Sequence, residues 1–190
     1  MREAAQAILL WFVVPMWLAA GFADWLCHRH TRIEATSGTK ESLIHLLMFA
    51  QMGVPVLCGL FLQVNAGILA LMVAVFLLHE ATVMWDLRVA NAARPVLPLE
   101  QKIHSYLELL PLAALCLLIT LHWTQWQALF GMGEPADFGL RLKDRPLPAG
   151  YLAAVCMAAL LLIVLPFCEE TWRCLRHARR RDAGAASARS

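Results

Sequence analysis

The sequence predicts an all-α integral membrane protein with five transmembrane helices. Of its 190 residues, 60% are hydrophobic and only 16% are charged, which lies outside the usual composition of a soluble domain. Five apolar stretches are each long enough, at about 20 residues, to cross a hydrocarbon core of about 30 Å. The formal charge of only +2 comes from a basic C-terminal segment, so a nucleic-acid partner is not expected.

The five predicted spans follow one another with little intervening chain. Only residues 63–65 separate the second span from the third, so these two should form an antiparallel hairpin. The first span also resembles a signal peptide, but it leads into polar residues that have counterparts on other spans, so we expect it to be retained. We expect one domain over residues 1–172 and a basic, disordered cytoplasmic tail over 173–190. The predicted spans are residues 7–27, 43–64, 66–87, 103–122 and 149–168.

The distribution of Lys and Arg predicts the orientation of the chain. Cytoplasmic loops of membrane proteins carry an excess of these residues. If the N terminus is outside, residues 28–40, 88–102 and the tail place 12 of the 16 basic residues on the cytoplasmic side. The sequence therefore predicts an N-out, C-in topology, and we expect it in a bacterial inner membrane.

Ionisable residues gather at the cytoplasmic ends of the first four spans. Buried ionisable groups in a membrane are costly and usually functional. The first span ends with Asp24 and His28, and the second begins with Glu41 and His45. In each pair the spacing of four residues places a carboxylate and an imidazole on one helix face.

The third and fourth spans extend this pattern. The fourth places His104 and Glu108 one turn apart, whereas Glu100 lies nearer the loop, where a hydrogen-bonding or solvated role is expected. In the third span His79 and Asp86 share a face, and Glu80 is rotated by about 100°. One of His79 and Glu80 should therefore face the cluster and the other a neighbouring helix.

Helical geometry predicts that these groups meet in a metal site. A rise of about 1.5 Å per residue brings them to nearly the same depth, so the first four spans can form a four-helix bundle around them. Mixed His and carboxylate ligands without thiolate suit iron, manganese or zinc, and the surplus of ligands favours two ions. We expect the fifth span only to anchor and shield the site. The predicted metal ligands are Asp24, His28, Glu41, His45, His79, Glu80, Asp86, His104 and Glu108.

Other roles for the same residues stay open. Several acids would be explained equally well as helix caps or as partners in buried ion pairs with Arg29, Arg32, Arg88 or Lys102. Haem is less favoured, because the central histidines have carboxylate neighbours suited to hydrated cations. The six cysteines form no CxxC pair and are most simply packing residues.

In ligand type the cluster resembles the di-iron carboxylate bundles, and in setting it resembles the membrane fatty-acid desaturases and hydroxylases. The Glu-x-x-His motif of the first group and the histidine boxes of the second are absent, so no family is assigned. The surplus of carboxylates in a water-poor site favours a di-iron oxidoreductase acting on a hydrophobic or lipid substrate. The alternatives are a zinc-dependent lipid hydrolase, a metal-binding or transport module, and a small subunit of a membrane complex. No catalytic residue and no oligomeric state is predicted.

Overall fold

The computed structural model describes residues 1–187 and is helical throughout, apart from connecting segments and a single bridge between Leu62 and Leu142. Five helices are long and apolar enough to cross a membrane, which confirms the predicted helical class and indicates an integral membrane protein. Their bounds are Arg2–Thr31 (α1), Gly38–Phe61 (α2), Ala66–Ala93 (α3), Pro98–Leu121 (α4) and Ala149–Ser187 (α5).

Short connections at both ends of α2 set the pairing of neighbouring helices. Arg32 adopts a left-handed backbone conformation with φ of 54° and ends α1, after which a 3₁₀ turn at Ile33–Ala35 leads to α2. At the other end of α2, Asn65 caps α3 by accepting a hydrogen bond from the Ile68 amide at 3.0 Å. The resulting α2–α3 turn makes these helices adjacent, as the short connection predicts.

Residues 122–148 close the end of the bundle at the α2–α3 turn. They contain a short helix, Trp123–Ala128, and an extended segment whose backbone accepts hydrogen bonds from the Gln63 and Gly67 amides. A Cβ atom at Gly67 would lie 3.1 Å from Phe138 Cα, so a glycine permits this close approach. The segment thus ties the turn to the rest of the protein.

The helices pack in pairs through small apolar clusters and a few polar contacts. Leu9 and Val13 of α1 pack with Leu110 and Ala114 of α4. The α2 helix is linked to α5 by Ser42 Oγ and Thr171 Oγ1, which are 2.8 Å apart. Helix α5 therefore contacts the same side of the bundle as α1 and α2, rather than standing apart as a peripheral anchor.

The C-terminal segment differs from the sequence prediction. Helix α5 continues to Ser187, so residues 173–187 are helical where a disordered tail is expected, and residues 188–190 lie outside the described residues. Arg173 pairs with Glu34 and, one helical turn back, with Glu169. These ion pairs and the helix-favouring Arg and Ala residues extend the helix past the apolar span.

Candidate metal centre

Two histidines and one glutamate form the middle of the cluster. His28 Nδ1 donates to Glu170 Oε2 at 3.0 Å, and His45 Nδ1 donates to Glu170 Oε1 at 2.9 Å. Both imidazole rings and the carboxylate are buried. Glu170 therefore orients two rings from two different helices, in the way that carboxylates orient metal-binding histidines.

The other ring nitrogen of His28 faces two carboxylates. Its Nε2 atom lies 3.4 Å from Asp24 Oδ1 and 3.5 Å from Glu100 Oε1, and it has no hydrogen-bond partner within the described chain. His104 Nε2 lies 3.0 Å from the same Asp24 oxygen. One ligand atom from each of these four residues falls within 4.8 Å of the others, close enough to hold one metal ion.

His45 faces a second pair of carboxylates. Its Nε2 atom lies 3.4 Å from Asp86 Oδ1 and 3.9 Å from Glu41 Oε1. Asp86 Oδ1 is buried and accepts no hydrogen bond from residues 1–187, and the same holds for Glu41 Oε2. This side of the cluster thus repeats the arrangement of imidazole and carboxylates seen at His28.

Arg94 hydrogen-bonds to carboxylates on both the His28 side and the His45 side of the cluster. Its guanidinium donates to Glu41 Oε1 at 2.7 Å and to Glu100 Oε2 at 2.9 Å. Burial alone would lower the pKa of Arg94, but its hydrogen bonds to Glu100 and Glu41 raise that pKa above its ordinary value. Arg94 therefore stays charged and holds Glu41 and Glu100 in place.

The buried acidic side chains of the cluster outnumber its buried basic side chains. Five buried carboxylates face one guanidinium, which leaves four negative charges when the histidines are neutral. Burial of unbalanced charge is costly, so protons or cations are required. Across residues 1–187, the buried Asp, Glu, Lys and Arg side chains are Asp24, Glu41, Asp86, Glu100, Glu170 and Arg94.

The structure brings six of the nine predicted ligands into this network and leaves three outside it. His79 is buried on the wall of an adjoining cavity, and its Nδ1 atom has no hydrogen-bond partner in the described chain. Glu108 also lines that cavity, and Glu80 contacts neither imidazole of the centre. The sequence predicts that one of His79 and Glu80 faces the cluster, but neither joins it, and of the two only His79 lines the adjoining cavity. The six residues in the network are Asp24, His28, Glu41, His45, Asp86 and His104.

Sequence reasoning missed the contribution of the fifth helix. Glu170 lies at the centre of the cluster, so a bundle of four spans with a purely anchoring fifth span does not describe the site. Glu170 comes just after a predicted span and three residues before Arg173, about 4.5 Å along a helix. That is shallower than the roughly 7 to 12 Å found in the same way for the predicted ligands, so depth alone does not single out Glu170.

Glu100 and Arg94 belong to the cluster itself, which the sequence does not predict. Glu100 joins Asp24, His28 and His104 instead of lying in solvent. The cation that pairs with the cluster is Arg94, whereas Arg29 pairs with Glu169 at 3.1 Å, outside the cluster. Lys102 stacks over Tyr106. The predicted basic partners are therefore not the ones that neutralise these acids.

A cavity of about 520 Å³ adjoins the cluster and is lined by residues of all five helices. Asp24, His45, Asp86 and His104 line its polar end, and the remaining wall is mostly apolar. A pocket of this kind, apolar with a few convergent polar groups, is typical of a site for a small hydrophobic molecule.

Comparisons with known proteins add no relatives. No family model matches the chain, and no match was found among the curated proteins or the solved structures.

Proposed function

We propose that this protein is a membrane-embedded metalloprotein whose His/carboxylate centre binds two divalent ions, with iron as the preferred metal. In this proposal the centre acts as an oxidoreductase on a hydrophobic or lipid substrate held in the adjoining cavity. The observation that carries the proposal is the position of His28 Nε2 between Asp24 and Glu100.

The tautomer of His28 leaves a nitrogen free to bind an ion. A neutral imidazole that donates its Nδ1 hydrogen to Glu170 carries a lone pair on Nε2. That lone pair faces oxygens of Asp24 and Glu100, so three acceptor atoms converge where a cation belongs. Two ligand atoms each about 2.1 Å from one ion are roughly 3 to 4 Å apart, which agrees with the spacing at this position.

His45 offers a second ion the same kind of position. His45 also donates through Nδ1 to Glu170, and its Nε2 faces Asp86 and Glu41. Two divalent cations would neutralise the four excess negative charges of the cluster. Protonated histidines are the competing source of positive charge, and metal analysis separates the two.

The oxidoreductase assignment is supported by the ligand types and by the cavity. Histidine and carboxylate without thiolate suit iron, manganese or zinc, and the apolar cavity limits water at the centre. Metal would supply the redox chemistry, while Glu170 and Arg94 position the groups that bind it. Zinc in place of iron would move the assignment to hydrolysis, with Glu108 on the cavity wall available as a general base.

The proposal includes an N-out, C-in orientation in a bacterial inner membrane. Arg29, Arg94 and Arg173 lie with the cluster at one end of the helices, which favours that end for the cytoplasmic side. The metal centre would then act near the cytoplasmic leaflet.

The test is metal analysis of protein purified from membranes in detergent. We expect close to two iron atoms per chain, and Asp24→Asn and His28→Ala should each remove most of the metal. His30→Ala is the matched control, since His30 is exposed two residues from His28. Protein with neither stoichiometric iron nor manganese would overturn the proposal, as would equal loss in His28→Ala and His30→Ala.

A further inference from the structure

The cavity beside the metal centre is lined by two ionisable side chains that the centre does not use, His79 and Glu108. His79 is only 7% exposed and lines the cavity, and its Nδ1 atom makes no hydrogen bond within residues 1–187. Nδ1 is enclosed by protein and out of reach of a molecule in the cavity. Nε2, on the opposite edge of the ring, is the nitrogen left for such a molecule to hydrogen-bond.

The lining also restricts the charge of this molecule. Glu108 lines the cavity and adds a further acidic side chain to the five carboxylates of the metal centre. The two divalent ions of the proposed centre balance its own carboxylates but not Glu108, so an anionic head group beside Glu108 would be repelled at low dielectric constant. An uncharged head group with a hydroxyl can hydrogen-bond to His79 without adding charge.

The rest of the wall favours a hydrocarbon chain. Val14, Leu18, Val56 and Leu60 are among the apolar residues that line it. Burial of apolar surface contributes about 25 cal/mol per Å². The volume of about 520 Å³ lies within the range of small-molecule sites, roughly 300 to 1,000 Å³.

Two exposed residues of the apolar stretches of α2 and α5 line the cavity. Leu57 and Leu160 are 55% and 42% exposed. Both lie within helices apolar enough to cross a membrane, so a ligand that enters beside them comes from the lipid phase.

We propose that the cavity binds an uncharged, hydroxyl-bearing lipid, with its hydroxyl at the His79 imidazole and its chain along the apolar wall. This inference deepens the proposed function, since it assigns the class of substrate to the same centre. His79 and Asp86 line one continuous cavity and are about 10 Å apart along α3, so the bound lipid shares the cavity with the metal ligands and its hydroxyl lies roughly two helical turns from Asp86. His79 is thus a positioning residue for the substrate and not a metal ligand.

The experiment measures binding of a dibrominated octadecanol by quenching of Trp17, which lines the cavity. The Trp17 signal is the difference in fluorescence between wild-type protein and Trp17→Phe, both in lipid nanodiscs. We expect saturable quenching that excess octadecanol relieves. Octadecanoic acid at pH 8 and octadecane should each compete at least tenfold more weakly, because one carries the wrong charge and the other lacks the hydroxyl.

Variants at His79 test the hydrogen bond to the lipid, and variants at two glycines test the space that its chain occupies. His79→Phe should weaken binding about fivefold to tenfold through loss of a hydrogen bond, and His79→Gln should retain most of the affinity. Gly53 lines the cavity and an added Cβ there meets nothing within 4 Å, so Gly53→Leu should fill the space and abolish quenching. Gly150→Leu, equally unobstructed but outside the cavity lining, is the control.

Metal content measured on the same samples distinguishes the two proposals. Both Gly53→Leu and His79→Phe should keep their metal while losing affinity for the alcohol. Unsaturable quenching, or equal competition by the acid or the alkane, would overturn the assignment of the substrate class while leaving the metal centre standing. Binding by wild-type protein that contains no metal would instead overturn the proposed function alone.

Discussion

The imidazole rings of His28 and His45 stack with their centroids 4.4 Å apart and their planes within 9° of parallel. Glu170 accepts from Nδ1 of both rings, so both Nε2 atoms lie on the far side of the stack from that carboxylate. Ions bound at the two nitrogens would be neighbours, as in two-metal sites where the ions are about 3.5 to 4 Å apart. Stacked rings also leave no room for a haem between this pair.

Glu170→Gln should weaken metal binding, although Glu170 contacts the Nδ1 atoms of the two histidines and not the proposed ions. A glutamine side chain has one acceptor oxygen where the carboxylate has two, so it can accept from the Nδ1 hydrogen of only one ring. The other imidazole then loses its fixed orientation. Loss of such a carboxylate partner typically lowers metal affinity 10-fold to 100-fold. A competitive chelator titration measures the change. Glu169→Gln is the control, since Glu169 pairs with Arg29 outside the centre, and equal effects of the two changes would contradict this role.

Arg94→Met should destabilise the metal-free protein by about 3 to 5 kcal/mol, because it leaves Glu41 and Glu100 buried without their cation. Thermal or denaturant unfolding of the apoprotein in detergent measures the loss. Arg88→Met removes an exposed arginine and should change stability by well under about 1 kcal/mol. Similar losses in both variants would show that Arg94 is not the structural cation of the cluster.

Removal of metal should lower the melting temperature of the wild-type protein. An ion that binds only the folded state stabilises it by about 4 kcal/mol when its free concentration is 1,000 times the dissociation constant. Asp24→Asn, which lacks a central carboxylate, should melt at nearly the same temperature with and without chelator. A wild-type melting temperature that is indifferent to confirmed metal removal would favour a cluster held together by protonated histidines.

Low pH should destabilise the protein partly through His122, which lies beyond α4 at the end of the bundle opposite the metal centre. Burial, with Lys143 and Arg2 nearby, lowers the pKa of His122 to about 4. The unfolded chain binds a proton at this residue below about pH 6.5, whereas the folded protein does so only near pH 4. The stability contributed by neutral His122 is therefore lost as the pH falls through this window.

His122→Gln should accordingly flatten the decline of the melting temperature between pH 6.5 and pH 4. His30→Gln, at an exposed histidine, should keep the wild-type slope. If all three proteins showed the same slope, burial of neutral His122 would make no contribution to stability.

Labelling of single cysteines tests the proposed N-out, C-in orientation. In a background without the six native cysteines, a cysteine at Glu134 should react with an impermeant maleimide in intact cells, and one at Ala92 should react only after lysis. Both positions are exposed, so accessibility within the protein does not limit the reaction. The reverse pattern would place the metal centre at the outer face of the membrane.

Local sequence determines most of the helical framework and part of the site. Each of the five helices follows from an apolar stretch of its own, because a chain in lipid must satisfy its backbone hydrogen bonds within the helix. The four-residue spacing of Asp24 with His28 places both on one helix face before any packing is known. The His28 Nε2 to Asp24 Oδ1 distance of 3.4 Å agrees with that spacing.

Tertiary packing decided which of these faces meet. The carboxylate that orients His28 comes from Glu170, 142 residues away on a helix whose sequence indicates only an anchor. Arg94, and not the basic residues nearer in sequence, neutralises Glu41 across 53 residues. His79 faces the cavity, although its spacing from Asp86 suits a metal ligand equally well. Composition and periodicity determine the helices and the faces each presents, whereas helix rotation and neighbour choice depend on contacts between segments distant in sequence, which no local pattern encodes.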